Sequence, residues 1–404
     1  MPGLTDIEAA AVAHCGSTDW MPGRVTSWSL INSGSRNLDG LAKMAAELAE
    51  LFGELPGKMR LREPAPVEAM MPDGTLAPVS HGRNLHVAVR PKAPIQLLFT
   101  GHMDTVFGSD HWFQDVTLDD DIIRGPGVAD MKGGLSVMHA ALLAVEHVGV
   151  PNLGYEVVIN SDEEVGSSGS APLIAAAARG KVAALTYEPS TLPDGTLAGA
   201  RPGSGNFSIR IEGRSAHAGR NPDEGRNAVL AAADLALRLA ELKRPGLTVN
   251  PAKIDGGGPN NVVPDKAVLR VNMRPQTPED QARAEAELDE AIASVSVKHD
   301  VRMHRQGGFG RPPKPIDPRA KALLELVKRS GADLGQEIGW RDTGGVCDGN
   351  NIAACGVPVV DTMGARGGAI HSDQEYLIVE SLQERAQLSA LTILRLANGE
   401  AMAL

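Results

Sequence analysis

The stretch Ile95–Thr100, IQLLFT, is a short apolar run that ends directly before the tetrapeptide GHMD at residues 101–104. A run of this length is typical of a strand that is buried on both faces of a sheet. The same pattern returns in Tyr155–Asn160 (YEVVIN) and Ala183–Tyr187 (AALTY), and a helical pattern at Gly134–Val148 lies between the first two runs. Strands that alternate with helices in this way predict a largely parallel sheet with helices on both faces.

A different pattern begins near Gly203, where apolar and polar residues alternate as they do in half-exposed strands. The predicted elements of this segment are, in order, strand Asn206–Glu212, a helix from Pro222 to about Lys243, strand Ala267–Met273, helix Glu279–Ser294 and strand Val295–His304. Asn221 and Pro222 suit the N-cap and the first position of the long helix. The segment is therefore predicted to fold as a small α+β open-faced sandwich.

The proline-rich stretch Arg311–Pro318 ends this segment, and a strand at Val357–Met363 then resumes the first pattern. A chain of 404 residues is also longer than one hydrophobic core usually supports. We therefore predict an α/β fold with two domains. The main domain, residues 1–200 plus 312–404, is built on a mixed, mostly parallel sheet flanked by helices, and an α+β domain of residues 201–311 is inserted into it.

Composition limits the classes of partner. The formal net charge is −11, aromatic residues make up 3 % of the chain and no long run of lysine and arginine occurs, which disfavours a nucleic-acid-binding surface. No apolar run is judged to approach the ~20 residues that a membrane span needs. Residues Met1–Gly16 lack the basic start and apolar core of a signal peptide, and the three cysteines, an odd number, fit reduced thiols. We expect a cytoplasmic protein with no nucleic-acid or membrane partner.

Histidine and carboxylate residues fall at the ends of the predicted elements. These residues are His102 and Asp104 after the first strand, Glu163 and Glu164 after the second, Glu188 after the third, His371 after the strand Val357–Met363 and a glycine-rich loop, and Asp130 before the helix Gly134–Val148. In an open α/β sheet such side chains converge on one edge. Imidazole and carboxylate ligands suit borderline metals such as Zn²⁺, and one bridging carboxylate can hold two ions that activate a water molecule between them.

Each of these motifs has a simpler explanation when it is taken alone. The His-x-Asp motif could be a hydrogen-bonded strand end, and Asp162–Glu164 could be a solvated acidic loop. Asp119–Asp121 is better explained as a hairpin turn, and His217 could cap a strand end. Cys347 lies on a tight glycine turn with no histidine near it in sequence, so a structural thiol is favoured over a nucleophile.

The combination of motifs is more specific than its parts. The motifs are GHMDTV (101–106), GPGVADMKGG (125–134), SDEEVGSSGS (161–170), YEP (187–189), RSAHAGRNPDEGRNA (214–228), NNVVPD (260–265) and IHSDQE (370–375). With these motifs in this order, the chain resembles the two-zinc metallopeptidase and deacylase family of glutamate carboxypeptidases, aminoacylases and the acetylornithine deacetylase/succinyl-diaminopimelate desuccinylase group. The resemblance covers roughly residues 95–400, whereas the preceding segment carries little of it.

The resemblance implies two Zn²⁺ ions per subunit, with Co²⁺ or Mn²⁺ left open. The implied ligands are His102 and Glu188 for the first metal, Glu164 and His371 for the second, and Asp130 as the bridge between them. The resemblance further implies that Asp104 orients the imidazole of His102 and that the Asp130–Met131 peptide is cis. A one-metal site stays open as an alternative, although five ligand positions favour two ions.

The resemblance also implies catalytic and substrate-binding groups. Glu163 is implied as the general base, and His217 as the donor to the tetrahedral oxyanion, acting from the inserted lid domain and often from a partner subunit. The candidate ligands of a substrate carboxylate are Arg274, Asn261, Arg366 and Arg311. A homodimer formed through the inserted domain is expected on the same grounds.

Several functions remain open at this point. The favoured one is a carboxypeptidase that cleaves an amide bond next to a free carboxylate in a small molecule or peptide. A deacylase that releases an acyl group from an amino acid would share every catalytic residue, and the stretch GGVCDGN (344–350) is similar to that branch. The intact Glu163 disfavours a catalytically silent binding protein, and Glu188 in place of an aspartate disfavours an aminopeptidase.

Overall fold

The strand that contains Ile95–Thr100 lies inside a six-stranded sheet, here called the central sheet. In a computed structural model that describes residues 3–16 and 19–400, its strands are, in spatial order, Lys58–Arg62, Asn84–Val89, Leu153–Asn160, Ile95–His102, Ala183–Thr186 and Val359–Val360. The three pairings nearest Val359–Val360 are parallel, and the other two are antiparallel. The predicted mixed, mostly parallel sheet is confirmed, and its parallel strands end at one common edge.

Apolar cores lie on both faces of the central sheet. Leu97 and Phe99 join the main core, whereas Leu98 between them joins a second core that includes Ile174 and Ile352. Burial on both faces explains why apolar residues dominate the strand. The α-helices outside the inserted segment are Asp6–His14, Met21–Ser29, Leu38–Phe52, Gly134–Val148, Ala171–Ala178, Pro318–Asp333, Asp348–Ala354 and Glu380–Arg395.

Small sheets complete this part of the protein. They are formed by Thr117–Asp119, Ile122–Arg124, Tyr376–Ile378 and Gly367–Gly368, by Leu197–Ala198 with Trp340–Arg341, and by Val67–Met70 with Leu76–Val79. The first two strands pair antiparallel across Asp120, whose φ is 45°. The acidic run at Asp119–Asp121 is therefore a hairpin turn, as predicted.

The segment Val128–Val148 is long and apolar enough to cross a membrane by length and composition, so the expectation that no apolar run approaches that length was wrong. In the structure, however, 94 % of the most apolar 18-residue stretch of this segment is buried inside the protein. The segment packs against the helices Asp6–His14 and Glu380–Arg395. Such burial is what the core helix of a globular domain shows.

A four-stranded antiparallel sheet, here called the inserted sheet, interrupts the main fold. Its strands are, in spatial order, Leu247–Gly256, Lys266–Pro275, Ser204–Glu212 and Arg302–Arg311. The helices Ala228–Glu241 and Pro278–His299 share an apolar core with it. The inserted segment thus folds as the α+β open-faced sandwich that was predicted.

The long helix of this segment begins later than predicted. It starts at Ala228, and its N-cap is Asn227, whose side chain accepts a hydrogen bond from the backbone of the first turn. Pro222–Glu224 forms a single 3₁₀ turn, and the side chain of Asn221 donates to that turn's glutamate instead of capping a helix. The extended backbone of Gly225, with φ −75° and ψ 161°, separates the turn from the helix.

One further boundary differs from the prediction, and one strand was not predicted. The helix Pro278–His299 continues through the first half of the predicted strand Val295–His304, because Val295 packs into the apolar core at helical spacing from Leu288. Tertiary packing here overrides the β-propensity of valine. The strand Leu247–Gly256 was missed because it is a mostly exposed edge strand that contains a proline.

The two connections to the inserted sheet lie side by side. The backbone N–H of Arg201 donates to the carbonyl of Lys314 at 3.0 Å, and that of Lys314 donates back at 2.9 Å. Both side chains bind the buried Asp361, with Nε of Arg201 and Nζ of Lys314 lying 2.8 and 3.1 Å from Oδ2. The division into domains at residues 201 and 311 stays a prediction.

Candidate metal centre

The loop that carries Asp130 is fixed against the edge of the central sheet. The segment Val128–Gly133 leads into the helix that follows it, and the Asp130–Met131 peptide is cis, as the resemblance implies. Gly134 is packed so closely that an added Cβ would lie 1.9 Å from the carbonyl oxygen of Tyr187. Glycine at this position therefore lets the helix start approach the strand end that carries the next residue, Glu188.

Asp130 presents its two carboxylate oxygens to two separate histidine–glutamate pairs. Its Oδ1 lies 3.1 Å from Nε2 of His102, which is 3.6 Å from Oε2 of Glu188. Its Oδ2 lies 3.3 Å from Nε2 of His371, which is 3.2 Å from Oε2 of Glu164. The structure thus brings together the five residues expected to bind metal, and their role as ligands stays a prediction.

The electrostatics of this cluster fit divalent cations. Burial alone would lower the pKa of His102, yet Glu188 and the other carboxylates raise it well above its ordinary value. Hydrogen bonds to Asp130 and Glu164 raise the pKa of His371 to about 11. Protonated imidazoles would thus supply positive charge that balances the carboxylates. Even so, Oε1 of Glu188 is buried without a hydrogen-bond partner. Divalent ions would supply that charge to every member, so the donor set fits a metal centre.

Asp104 contacts His102 through both its main chain and its side chain. Nδ1 of His102 donates to the backbone carbonyl of Asp104 at 2.9 Å, whereas the carboxylate Oδ1 of Asp104 is 3.4 Å away. That carboxylate also accepts the backbone N–H groups of Glu163 and Glu164, at 3.1 and 3.2 Å, and the hydroxyl of Ser35 at 2.7 Å. The Asp104 carboxylate thus also holds the glutamate loop, and its role in orienting the imidazole of His102 stays a prediction.

Glu163 lies beside the cluster and forms an ion pair with Arg311. Its Oε1 is 2.7 Å from Nη1 of Arg311, and both residues are buried. Burial raises the pKa of Glu163 to about 7, although the guanidinium acts to lower it. A carboxylate oxygen of Glu163, one of Glu188 and a nitrogen of His102 all lie within 4.8 Å of one another. Glu163 thus lies beside the candidate metal ligands, and its role as the general base stays a prediction.

Arg311 ends the last strand of the inserted sheet and reaches into this centre. Its Nη2 donates to the backbone carbonyl of Glu163 at 2.8 Å and to the hydroxyl of Ser167 at 2.9 Å, and its Nη1 donates to the carbonyl of Val346 at 3.3 Å. The Ser167 hydroxyl donates in turn to Asp348. Sequence reasoning proposed Arg311 as a ligand of a substrate carboxylate and missed this network, because its members lie far apart along the chain.

A cavity of about 1190 Å³ opens over the centre. Glu163 and four of the five candidate ligands line it, whereas His102 lies beneath them. Asn206, Asn272 and Phe309 from the inserted sheet line it as well. The volume is somewhat above the ~300–1,000 Å³ of most small-molecule pockets, so the cavity has room for a substrate larger than a single amino acid.

The two remaining arginine candidates differ in their relation to the cavity. Arg274 lines it, and its guanidinium donates to the side-chain oxygen of Asn272 at 3.0 Å and to the carbonyl of Gly344 at 3.2 Å. Arg366 is not among the described residues that line the cavity. Its guanidinium binds Glu384 at 2.7 Å and the carbonyl of Pro193 at 2.9 Å.

His217 and Asn261 lie together on exposed loops of the inserted segment. Nδ1 of His217 accepts the backbone N–H groups of Gly219 and Arg220, and the carbonyl of Asn261 accepts the backbone N–H of Ala218. The described lining of the cavity includes neither His217 nor Asn261. Within one chain, these two candidates are therefore separate from the centre that they were expected to serve.

Comparison with known proteins agrees with this geometry. A profile of peptidase family M20/M25/M40 matches residues 98–395. Carboxypeptidase G2 from Pseudomonas sp. (strain RS-16) is 31 % identical over 329 residues, which cover 79 % of this chain and 78 % of that protein. Succinyl-diaminopimelate desuccinylase from Stenotrophomonas maltophilia (strain K279a) is 28 % identical over 314 residues, covering 72 % and 81 %.

The fold also matches solved structures. An M20 family metallo-carboxypeptidase from Sulfolobus solfataricus superposes with a TM-score of 0.70 at 15 % identity, covering 94 % of this chain and 100 % of that one. The family profile spans well over half of the sequence. The chain belongs to peptidase family M20/M25/M40. With its cluster of histidine and carboxylate donors, this M20 protein is a metal-dependent hydrolase.

The geometry of Cys347 is consistent with the structural role favoured for it. Its sulfur accepts the backbone N–H of Gly349 and caps the helix Asp348–Ala354. Burial raises the pKa of the thiol well above its ordinary value. A thiolate nucleophile is disfavoured in this M20 protein, because the reactive thiolate is the form that burial penalises.

Proposed function

We propose that this M20 hydrolase is a two-zinc carboxypeptidase that cleaves an amide bond next to the free carboxylate of an N-acylated or peptidyl amino acid. One observation carries the proposal: four of the five candidate metal ligands and Arg274, which comes from the inserted sheet, line the same cavity. The planar fork of arginine pairs bidentately with a carboxylate. The similarity to carboxypeptidase G2 supports this choice.

The chain supplies the groups that the reaction requires. His102 and Glu188 would hold one zinc ion, Glu164 and His371 the other, and Asp130 both. Bound zinc would polarise the scissile carbonyl and acidify a water molecule. Glu163 accepts the proton of the attacking water and returns it to the leaving nitrogen, so that the amine departs neutral.

A deacylase that removes a short acyl group from an amino acid is the second candidate. Relatives named as succinyl-diaminopimelate desuccinylases favour it. The two activities use the same catalytic groups and differ in the part of the substrate that fills the acyl side of the cavity. Substrate preference therefore decides between them.

The first test is release of free amino acid from a panel of N-acyl amino acids, acyl-glutamates and dipeptides, with and without a chelator. Chelator-sensitive release of glutamate from large acyl or peptidyl substrates is the result expected for the carboxypeptidase. A preference for acetyl or succinyl groups would instead establish the deacylase. Failure to cleave any panel member, in protein shown to hold two zinc ions, would refute both.

We further propose that the protein is a cytoplasmic homodimer in which His217 serves the centre of the partner subunit. Exposed apolar side chains on the inserted segment support an interface there: Leu230 and Leu237 are 59 % and 69 % exposed and lie seven residues apart on one helix. Mixing inactive His217→Ala and Glu163→Gln chains tests the arrangement. Hybrid dimers regain activity if His217 acts across the interface, whereas no rescue would contradict it.

A further inference from the structure

We propose that Glu375 is a positioning residue that ties the loop of Asp130 to the loop of His371 and thereby sets the affinity of the centre for metal. The inference rests on the proposed assignment of Asp130 and His371 as ligands. It adds a residue outside the ligand set, on which the arrangement of that set depends.

The carboxylate of Glu375 receives backbone hydrogen bonds from one short loop. Its Oε1 accepts the N–H groups of Ala129 and Asp130, both at 3.0 Å, and its Oε2 accepts the N–H of Gly127 at 3.2 Å. The backbone carbonyl of Glu375 accepts the N–H of Gly125 at 3.3 Å. Four N–H groups within six residues of the chain thus converge on Glu375, which is 1 % exposed.

The conformation of this loop requires an acceptor at that point. Gly127 has a φ of +72°, which is the left-handed region, and its N–H turns toward the same side as those of Ala129 and Asp130. Successive backbone N–H groups arranged in this way form a concave site for an anion. Buried backbone N–H groups are almost always paired in folded proteins, and Glu375 provides the partner here.

Glu375 is also held close to His371. Its backbone N–H donates to the carbonyl of Ser372 at 3.2 Å, which closes a compact turn between the two residues. The next residue, Tyr376, pairs with Arg124 in a small antiparallel sheet. A shift of the Glu375 carboxylate would therefore move the Asp130 loop relative to the His371 turn, and the two histidine–glutamate pairs would lose their common bridge.

The substitution Glu375→Gln isolates this role. Glutamine keeps one carbonyl oxygen for Ala129 and Asp130 but sets an amide N–H group against the N–H of Gly127, so two donors face each other. Glu285→Gln is the matched control, because the Glu285 side chain is 42 % exposed and forms a surface ion pair with Arg305 at 3.2 Å. Glu375→Asp, one methylene shorter, keeps the charge and serves if the amide variant does not fold.

The measurements are zinc affinity of the metal-free chain, by competition with a chromophoric chelator, and the visible absorption spectrum of the Co²⁺-loaded protein. Loss of a group that orients metal ligands typically costs 10–100-fold in affinity. We expect both Glu375 variants to lose about 10–100-fold in zinc affinity and to show a changed Co²⁺ spectrum. We expect Glu285→Gln to change neither the affinity nor the spectrum.

The outcomes separate the two levels of inference. If wild type binds neither Zn²⁺ nor Co²⁺, the metal centre itself is refuted. If wild type binds tightly and the Glu375 variants show only a lower unfolding temperature, with unchanged affinity and spectrum, the positioning role is refuted and the metal centre stands.

Discussion

Replacing Arg311 by lysine should impair the chemical step more than substrate binding. The guanidinium pairs with the Glu163 carboxylate at 2.7 Å and donates to the backbone carbonyl of the same residue at 2.8 Å. It therefore holds both the side chain and the backbone of the proposed base. Lysine keeps the positive charge, but its single ammonium cannot reproduce the planar fork that reaches Glu163 and Ser167 together.

The size of the effect follows from the contacts that are lost. Hydrogen bonds that involve a charged group contribute about 1.5–3 kcal/mol each. If lysine retains the ion pair and loses one or two of the other bonds, roughly 1.5–6 kcal/mol of positioning is removed. About 2.7 kcal/mol in the barrier corresponds to a ~10²-fold fall in kcat. Arg311→Ala leaves a buried carboxylate without its partner and should destabilise the protein by roughly 3–5 kcal/mol.

The assay is steady-state kinetics on the preferred substrate of the panel, with metal content measured on the same samples. We expect kcat to fall ~10²-fold for Arg311→Lys while KM changes little, because the interaction is with the base and not with the substrate. Arg329→Lys is the control, since Arg329 is 58 % exposed and pairs with Glu400. A raised KM with unchanged kcat would refute this reasoning and make Arg311 a ligand of the substrate carboxylate, as the sequence alone suggested.

Three other predictions follow from the same structure. Glu163→Gln should lower kcat by about 10²–10⁴-fold at unchanged metal content, and an unchanged rate would move the role of base elsewhere. Chelation should abolish hydrolysis and lower the unfolding temperature, because zinc at 100 times its Kd stabilises the fold by about 2.7 kcal/mol, and added zinc should restore both. Burial raises the pKa of Glu8, but hydrogen bonds from Thr5 and Arg395 outweigh it and the folded-state pKa is lowered. Ionised Glu8 therefore contributes fully to the free energy of unfolding at a pH above its pKa in the unfolded chain. That contribution is lost as the pH falls through its lower pKa in the folded protein. In urea unfolding, Glu8→Gln should cost about 1–2 kcal/mol at pH 7 and progressively less below pH ~4.5; a pH-independent cost would contradict the ion pair.

The sequence by itself determined the fold class and the edge of the sheet at which the candidate site lies. A strand that is buried on both faces is mostly apolar, so the strands Ile95–His102 and Leu153–Asn160 are visible in the amino-acid order as the runs Ile95–Thr100 and Tyr155–Asn160. The polar residues that follow such strands are visible for the same reason, and parallel strands carry them to one edge. Both signals are local, which is why no tertiary information was needed.

Helix and strand boundaries in the inserted segment depended on packing. Val295 belongs to a helix because its side chain fills the apolar core, and the neighbouring Val297, 84 % exposed, follows it within the same helix. Local propensity differs by too little between helix and strand to decide such cases.

The partners of each site residue were decided by tertiary structure alone. Arg311 and Glu163 are 148 residues apart along the chain, and Glu375 and Asp130 are 245 apart. A hydrogen bond requires groups from different elements to be placed to within a few tenths of an ångström, and no spacing rule along the chain encodes such placement. The amino-acid order therefore indicates which chemistry is present. Tertiary structure sets its partners: the end of the inserted sheet delivers Arg311 to Glu163, and the turn before strand Tyr376–Ile378 delivers Glu375 to the loop of Asp130.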